Sequence, residues 1–590
     1  MSKDMFYFNN PRLKIQLHRV AEGFLVHPPV SFFIAEAAGV MAALTYGPDL
    51  GPCSVCEKPS SRACSRCRVD FYCGKEHQVL DFSRHRKGCG VLAERCNDEV
   101  GRHLVAVRDI PAGTILMREE PIVAVTTPAT LPDQEACVGC CAVRPVRQMK
   151  ACRGCGWLVC GDACSLKDIH VPECTAFKRA NFRYSREFNF GGGKSALHWD
   201  GLAALRICLA SQQPTLRPRL AKLTSNLDFH CPPDVPEPYA SRLRGGSRVL
   251  PCRRDEAVSW LRNRVGITWI PIEDLQQALG AFFMNSLKMD GHPNDPLERK
   301  LSGLFAGYSL LEHACVPNAF FLPWRLDDSG VGHRYGHVLV AAKNIAAGEH
   351  VAITYLPDTV MGTSQRRLDL TWWLFYCRCP MCSDASELGL HVDAWHCGHC
   401  NRQGRRCLVT RPAGQWQCDG CGKGGSLYDD PEGSGWAEVS RLERRLDEMQ
   451  EREAEVRVQE WLSFIADAQG PRGLLHATHR IVFTAKFEMV YQYLADFNNS
   501  QGRGLKKVQA VGLRNALGHL RDVLRVADVY RPGLNPLRRE VERARFDLLQ
   551  AILSLKQPQD KVLVAEYLDL RATIRSFLID PWRKSTFPPC

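Results

Sequence analysis

A multidomain α+β protein, with a β-rich centre and an all-helical C-terminal part, follows from three observations. Cysteines recur in short-spaced pairs over four separate regions of the chain. Two stretches share one rhythm, a β-branched run, a glycine turn and a second apolar run, which reads as strand, turn and strand. Beyond residue 435 the apolar residues fall at helical spacing, with no strand pattern among them. The 590 residues suffice for roughly three to five domains.

Composition narrows the class. Hydrophobic residues make up 45% and charged residues 24%, ordinary for a soluble protein with a sizeable core. The net charge of +12 is spread along the chain without a long Lys/Arg run, so it permits nucleic acid or an acidic protein surface as partner and demands neither. Met1 opens a mixed polar stretch with no secretory pattern. The apolar run Phe24 to Tyr46 is broken by His27, Pro28, Pro29 and Glu36, too short an uninterrupted stretch to span a bilayer. A short buried helix or a loose N-terminal arm over 1–50 is expected instead. A reducing compartment follows, and there clustered cysteines favour metal over disulfide.

The cysteines then sort by spacing. Cys53-x2-Cys56, Cys64-x2-Cys67, Cys73-x3-His77 and His85-x3-Cys89 place eight ligands in 37 residues, enough for two tetrahedral zinc sites. The pattern repeats as Cys137-x2-Cys140, Cys152-x2-Cys155, Cys160-x3-Cys164 and His170-x3-Cys174. Cys377-x-Cys379-x2-Cys382 seeks a fourth ligand, and Cys397-x2-Cys400 with Cys418-x2-Cys421 has zinc-ribbon spacing. With Cys315 completing the third group, 21 cysteines and three histidines serve about six zinc ions. Cys96, Cys141, Cys208, Cys231, Cys252, Cys407 and Cys590 remain as buried small hydrophobes or inert thiols. Sites filled by four protein ligands are structural, so they tell how domains fold and not what they catalyse.

Both eight-ligand clusters resemble MYND zinc fingers, whose ligands interleave. The resemblance implies one ion on Cys53, Cys56, Cys73 and His77 and another on Cys64, Cys67, His85 and Cys89. In the second finger it pairs Cys137, Cys140, Cys160 and Cys164, then Cys152, Cys155, His170 and Cys174. His77 stands where such fingers usually carry cysteine, a substitution zinc accepts readily.

Between the fingers, Leu104 to Leu116 and Val338 to Val351 each read as a β-branched run, a turn ending in Gly113 or Gly348, and a second apolar run. With Tyr308-Ser-Leu-Leu-Glu-His-Ala-Cys-Val-Pro-Asn-Ala319, Gly101 to Ile110 and Ile353-Thr-Tyr355, they resemble a SET domain. The order of motifs is similar to the SET and MYND family, in which a finger and a helical insert split the SET fold. An extra finger before the SET start resembles the arthropod-specific branch of that family. The expected parts are an arm at 1–50, a first finger at 51–92, the SET N-terminal part at 98–132 and a second finger at 135–176. A helical insert at 177–300, the SET core at 301–358 and a post-SET zinc site at 359–386 follow. A zinc ribbon at 394–424 and a tetratricopeptide-like superhelix at 435–590 complete the chain.

The resemblance implies S-adenosylmethionine-dependent methylation of a protein lysine, histone or non-histone. On its motifs Tyr355, Phe375 and Trp373 form the catalytic channel. Gly101, Arg102, His103, Asn285, Glu312, His313, Tyr355 and Phe375 hold the cofactor. Four positions depart from the family pattern. His103 replaces the second glycine of the first-strand Gly-x-Gly. Glu312 replaces an asparagine, and as a carboxylate it only accepts hydrogen bonds, which suits a cofactor's ammonium and repels its carboxylate. Ala314 lacks a hydroxyl, and Trp373 takes a tyrosine's place. The alternative is therefore a catalytically weak or inactive SET scaffold that recruits proteins through its fingers and acts as a co-regulator. Expected partners are protein substrates, proline-rich peptides and chromatin-associated proteins, with no membrane, for a monomer of cytoplasm and nucleus.

Other features receive plainer readings. His476-Ala-Thr-His479 lies in an expected amphipathic helix over 474–493 and, with no third ligand in view, reads as a structural pair. The mixed charges from Leu442 to Glu453 read as a solvated helix face. Phe188 to Gly193 is a connector, since it lacks the setting of a phosphate loop.

Overall fold

The computed structural model describes residues 51–578 apart from 57, 68–69, 98–99, 127–133, 168, 186–194, 226–228, 290–300, 329–331, 411–414, 427–434, 453–455, 470–472, 501–506 and 555–560. The expected N-terminal arm, the connector 188–193 and Cys590 lie outside the described residues.

The two stretches of shared rhythm turn out to pair with each other. Strand β1 (Leu92–Asn97) pairs antiparallel with β2 (Gly101–Ala106), and the chain turns through Gly113 into β3 (Ile115–Glu119). Gly113 and Gly348 sit at φ +80° and +83°, backbone that a side-chain Cβ disfavours, so glycine is required at both turns. The turns are clamped face to face: Ile110 and Ile345 exchange N–H···O bonds of 2.8 and 2.9 Å, and Val351 N–H donates to Leu104 O at 2.8 Å. Apolar residues of both segments, Leu104, Ile110, Leu339 and Ile345, then bury a common core with Phe305 and Ile353.

Two small antiparallel sheets flank this core. In one, β3 pairs with β9 (Gly332–Ala341), which pairs with β8 (Ala319–Asp328). In the other, β6 (Leu301–Leu304) lies between β4 (Val123–Thr126) and β5 (Ser286–Met289). Residues 286–289 fall inside the stretch expected to be helical insert. They form a strand because β6 offers them a complete edge to pair with. The remaining pair, β7 (Glu312–His313) and β10 (Ala352–Ile353), is parallel. Asn318 stitches it: its Oδ1 accepts from Ala352 N–H at 2.9 Å, and its Nδ2 donates to His350 O at 2.7 Å and Glu349 Oε1 at 2.9 Å.

The insert contributes helices α1 (Ser195–Ala210), α2 (Tyr239–Ser259) and α3 (Ile272–Asn285), whose apolar faces share a core with the second cysteine cluster. After the short helix α4 (Thr363–Leu370) comes a four-stranded antiparallel ribbon, Trp395–His396, Leu408–Thr410, Gln415–Cys418 and Gly424–Ser426. Six helices end the described chain: α5 (Trp436–Glu451), α6 (Val458–Gln469), α7 (Arg480–Ser500), α8 (Lys507–Tyr530), α9 (Pro536–Ser554) and α10 (Lys561–Leu578). On α5 the residues Val439, Leu442, Leu446 and Met449 are buried at helical spacing, while Arg441 pairs with Glu438 on the outer face. Helix α7 begins at Arg480, later than the expected 474, because His479 takes the capping position: its Nδ1 accepts from Ile481 N–H at 3.2 Å. His476 and His479 therefore lie on a turn, not on a helix face. Among the described residues no helix is long and apolar enough to cross a membrane.

One carboxyl in this tail supplies a pH test. Burial, opposed by the Tyr491 hydroxyl at 3.2 Å, pushes Glu540 up from 4.5 to about 7. The folded state then binds more protons than the unfolded one between these values. Stability is fullest below 4.5, falls as pH rises towards about 7, and is flat beyond. Glu540→Gln removes the dependence. The Tm gain of the variant over wild type is expected to be larger at about pH 8 than at about pH 5; an equal difference at both would refute the assignment.

Candidate active site and zinc centres

Six groups of cysteine and histidine converge as the spacings predict. A tetrahedral ion with bonds of about 2.3 Å to sulfur requires sulfur–sulfur edges of about 3.8 Å. The structure places Cys56 and Cys73 at 3.6 Å, Cys64 and Cys89 at 3.8 Å, Cys140 and Cys160 at 3.6 Å, and Cys152 and Cys174 at 3.7 Å. Cys315 stands 3.5 Å from Cys382 and 4.0 Å from Cys377, and Cys379 completes the group. In the ribbon, Cys397–Cys421 and Cys400–Cys418 are both 3.8 Å apart. His77 joins the first group, with Nδ1 3.0 Å from Cys73 and 3.3 Å from Cys53. The four-ligand sets fit zinc throughout.

Each of the two Cys3His groups with a buried imidazole has a carboxylate behind it that spacing did not reveal. Asp70 Oδ2 lies 2.8 Å from His85 Nδ1, and Glu173 Oε1 lies 2.7 Å from His170 Nδ1. Both turn Nε2 towards the thiols, which fixes the tautomer a metal needs. Glu173 is itself held by Arg206 of α1, whose Nη2 also donates to Val138 O at 2.6 Å. The second cluster is thereby bolted to the insert. Cys407, one of the seven leftover thiols, packs against the ribbon group: a Cβ on Gly420 would meet its Sγ at 2.2 Å and Cys400 Sγ at 3.6 Å.

The residues expected to line a lysine channel come together. Tyr355 has Trp373 at 5.6 Å and Phe375 at 6.4 Å between ring centroids, and His313 closes a third side at 5.3 Å. Leu374, at φ +58°, is a buried non-glycine residue in left-handed backbone, and it turns the chain between the two lid aromatics. Tyr355 Oη donates to Leu311 O at 2.6 Å, while its N–H donates to His313 Nδ1 at 3.0 Å. Burial, and secondarily the charge of Glu312, raises the Tyr355 phenol. Burial drives His313 down to about 3, so the imidazole is neutral and accepts.

The expected cofactor residues are less uniform. Gly101 is at φ +70° with nothing within 4 Å of where its Cβ would stand, so open space borders the first strand. Arg102 turns away to Lys222 O and to Glu94 at 3.6 Å. Asn285, at the end of α3, gives both its donors to backbone, Thr224 O at 2.9 Å and Ala281 O at 2.8 Å. Glu312 Oε1 is taken by His350 Nδ1 at 2.7 Å, and His103 stacks on His350 at 4.2 Å with its Nδ1 3.8 Å from the same oxygen. His350 carried no motif signal; only the pairing of the two turns brings it there.

Behind the lid, three arginines meet the thiol group. Arg366 Nη2 lies 3.8 Å from Cys382 Sγ, and Arg367 donates to Cys377 O at 3.1 Å and Cys382 O at 2.9 Å. Arg531, fully buried at the end of α8, donates to Cys315 O at 2.6 Å and reaches Pro357 O at 3.4 Å. The tail and the post-SET segment thus share one core.

Comparison with known families agrees with this geometry. Residues 53–89 match the MYND finger and residues 101–356 match the SET domain. The chain therefore carries a MYND finger and a SET domain. Among curated proteins it is 25% identical to "SET domain-containing protein SmydA-8, isoform A" of Drosophila melanogaster over 54% of this chain and 63% of that protein. It is 22% identical to "Histone-lysine N-methyltransferase ASHR1" of Arabidopsis thaliana over 48% of this chain and 53% of that protein. The matches therefore span less than two thirds of the relatives' lengths.

Arg531→Ala tests the bolt between tail and lid. Loss of buried, charge-assisted hydrogen bonds is expected to cost roughly 3 kcal/mol in denaturant unfolding. Chelator should also extract one zinc faster than from wild type. Unchanged stability and extraction would show that Arg531 is incidental.

Proposed function

We propose that the protein is an S-adenosylmethionine-dependent protein-lysine methyltransferase. The observation that carries this reading is the aromatic channel of Tyr355, Trp373 and Phe375, closed beneath a thiol-bound lid. The open side of Gly101 and the anionic Glu312 fit a cofactor bearing an ammonium group. When bound, that cofactor supplies an electrophilic methyl group on a cationic sulfur.

The chain's own residues do the positioning. Tyr355 gives its proton to Leu311 O, so its oxygen lone pairs face the channel and accept from a lysine amine. Trp373 and Phe375 present ring faces that pack on the apolar lysine stem and steady the positive charge that develops on its nitrogen. His313, neutral and half-buried, fixes the Tyr355 backbone instead of acting as a base. Neither group is placed to take the lysine proton, so the rate should rise with pH as the free amine accumulates.

The second reading, a SET scaffold that recruits proteins through paired MYND fingers, is favoured by the His350–Glu312–His103 cluster and by Asn285, whose donors are spent on backbone. Proline-rich peptides and chromatin-associated proteins are its proposed partners. Calorimetric titration with S-adenosylmethionine separates the two. Under the enzyme reading, wild type binds and methylates lysate proteins. Tyr355→Phe still binds and loses about 10²–10³ in rate, as for one aligned polar group. Absence of binding up to about 1 mM, a free energy of only about 4 kcal/mol, removes the enzyme reading and leaves the scaffold.

A further inference from the structure

Spacing alone gives His476 and His479 no third ligand, yet the fold supplies two more imidazoles beside His476. The ribbon's first strand runs against the turn that precedes α7. His396 N–H donates to Leu474 O at 2.6 Å, and His476 N–H donates to Ala394 O at 3.4 Å. Trp395 and Leu475 form an antiparallel bridge between them. This short ladder sets His396 and His476 side by side. A turn from His391 to Ala394, closed by Ala394 N–H on His391 O at 3.2 Å, folds His391 over the same spot. Ring centroids are 5.0 Å apart for His391 and His476 and 6.3 Å apart for His396 and His476, with interplanar angles of 59° and 48°.

The His391–His476 separation is that of two imidazoles on one tetrahedral ion, while His396 must swing about 1 Å towards His476 to reach the same ion. A metal–nitrogen bond of about 2.0 Å puts a ring centroid about 3.2 Å from the metal, so two imidazoles on one tetrahedral ion have centroids about 5 Å apart and never more than about 6.4 Å. The stacked pair His103 and His350, 4.2 Å apart and 19° from parallel, has the wrong geometry, since a metal must lie in both ring planes.

Lone pairs are available at all three rings. The Nδ1 atoms of His391 and His396 are buried and make no hydrogen bond among the described residues. Buried imidazole nitrogens are ordinarily partnered, so two at one spot ask for a ligand. His476 Nδ1 lies 2.7 Å from Thr478 Oγ1, whose proton goes to Leu390 O. That makes Nδ1 the protonated nitrogen and leaves Nε2 its lone pair; the Thr478 N–H approach to Nδ1, at 3.4 Å, is the weaker contact. His391 holds φ +52°, a strained left-handed backbone for a residue other than glycine. Burial first, then the neighbouring His391 and His396, lowers His476 to about 4, the neutral state a ligand requires.

We propose that His391, His396 and His476 form a seventh metal site, for a divalent first-row transition ion such as zinc, with water in the fourth position. Three neutral imidazoles suit zinc, nickel or copper, and they leave the open position that the four-ligand sites lack. Its place is distinctive, because the ligands come from the segment after the lid, the ribbon and the entry to the helical tail. An ion there cross-links the segment after the lid, the ribbon and the helical tail.

The test uses the full chain. After dialysis against a mild chelator that spares thiolate zinc, zinc is returned by calorimetric titration and counted by elemental mass spectrometry. Wild type is expected to take up one equivalent that His391→Gln and His476→Gln do not. His399→Gln, a ribbon histidine bonded instead to Gln403, should behave as wild type. In unmutated protein, modification of His476 by diethyl pyrocarbonate, read by peptide mass spectrometry, should fall at least tenfold on adding zinc. That readout stands even if a variant misfolds. Equal zinc uptake by all four proteins, or labelling of His476 that zinc leaves unchanged, overturns the proposal.

Discussion

Four thiolates around one zinc carry a net negative charge, and burying such a group in a protein core is unfavourable unless cations accompany it. The structure meets that requirement at Cys315, Cys377, Cys379 and Cys382 with guanidinium groups from two directions. Arg366 comes from α4, next to the lid, and Arg531 directly follows α8 in the tail. Both are fully buried, and both lie over the ring of Tyr530, at 5.8 and 4.3 Å. The charge of the metal group therefore determines where the helical tail must dock, and the lid aromatics are fixed as a consequence. Cys315 belongs to the segment paired with β10, so the same group ties the SET core to lid and tail at once.

This arrangement sets the aromatic cluster apart from the residues expected at a cofactor. Tyr355, Trp373 and Phe375 pack into the core shared by lid and tail, and their positions follow from it. Gly101 stands at the start of β2, Glu312 within the parallel pair and Asn285 at the end of α3, so they depend on the insert and on the turn at Gly348. There His350 and His103 have taken Glu312 as their partner, which holds a carboxylate near the open space beside Gly101. Whether that carboxylate receives a cofactor's ammonium group is the point on which the enzyme and scaffold readings divide.

Much of this was legible in the sequence because metal ligation is local. Cys-x2-Cys spacings named the zinc groups, and Cys315 was drawn into the post-SET set by simple need of a fourth ligand. The glycines at 113 and 348 marked their turns for a steric reason that sequence alone carries. What was not legible is non-local. Asp70 and Glu173 behind the zinc histidines, Arg531 behind Cys315, and His350 on Glu312 are ordinary residues in ordinary contexts until the chain folds. The same limit explains His476: helical periodicity around it suggested a helix face, whereas capping by His479 placed it on a turn beside His391 and His396. Strand 286–289 was hidden similarly, since its partner stands at 301–304.

The central claim, that the lid's thiol group holds channel and tail as one unit, is tested most directly by hydrogen exchange. Full-length protein carrying Cys379→Ser, which deprives the group of one ligand, would be compared with wild type peptide by peptide. The account predicts that residues 371–382 and the end of α8 through Arg531 lose protection together, while the finger at 53–89 keeps its own. Loss confined to the lid, with α8 exchanging as in wild type, would contradict it.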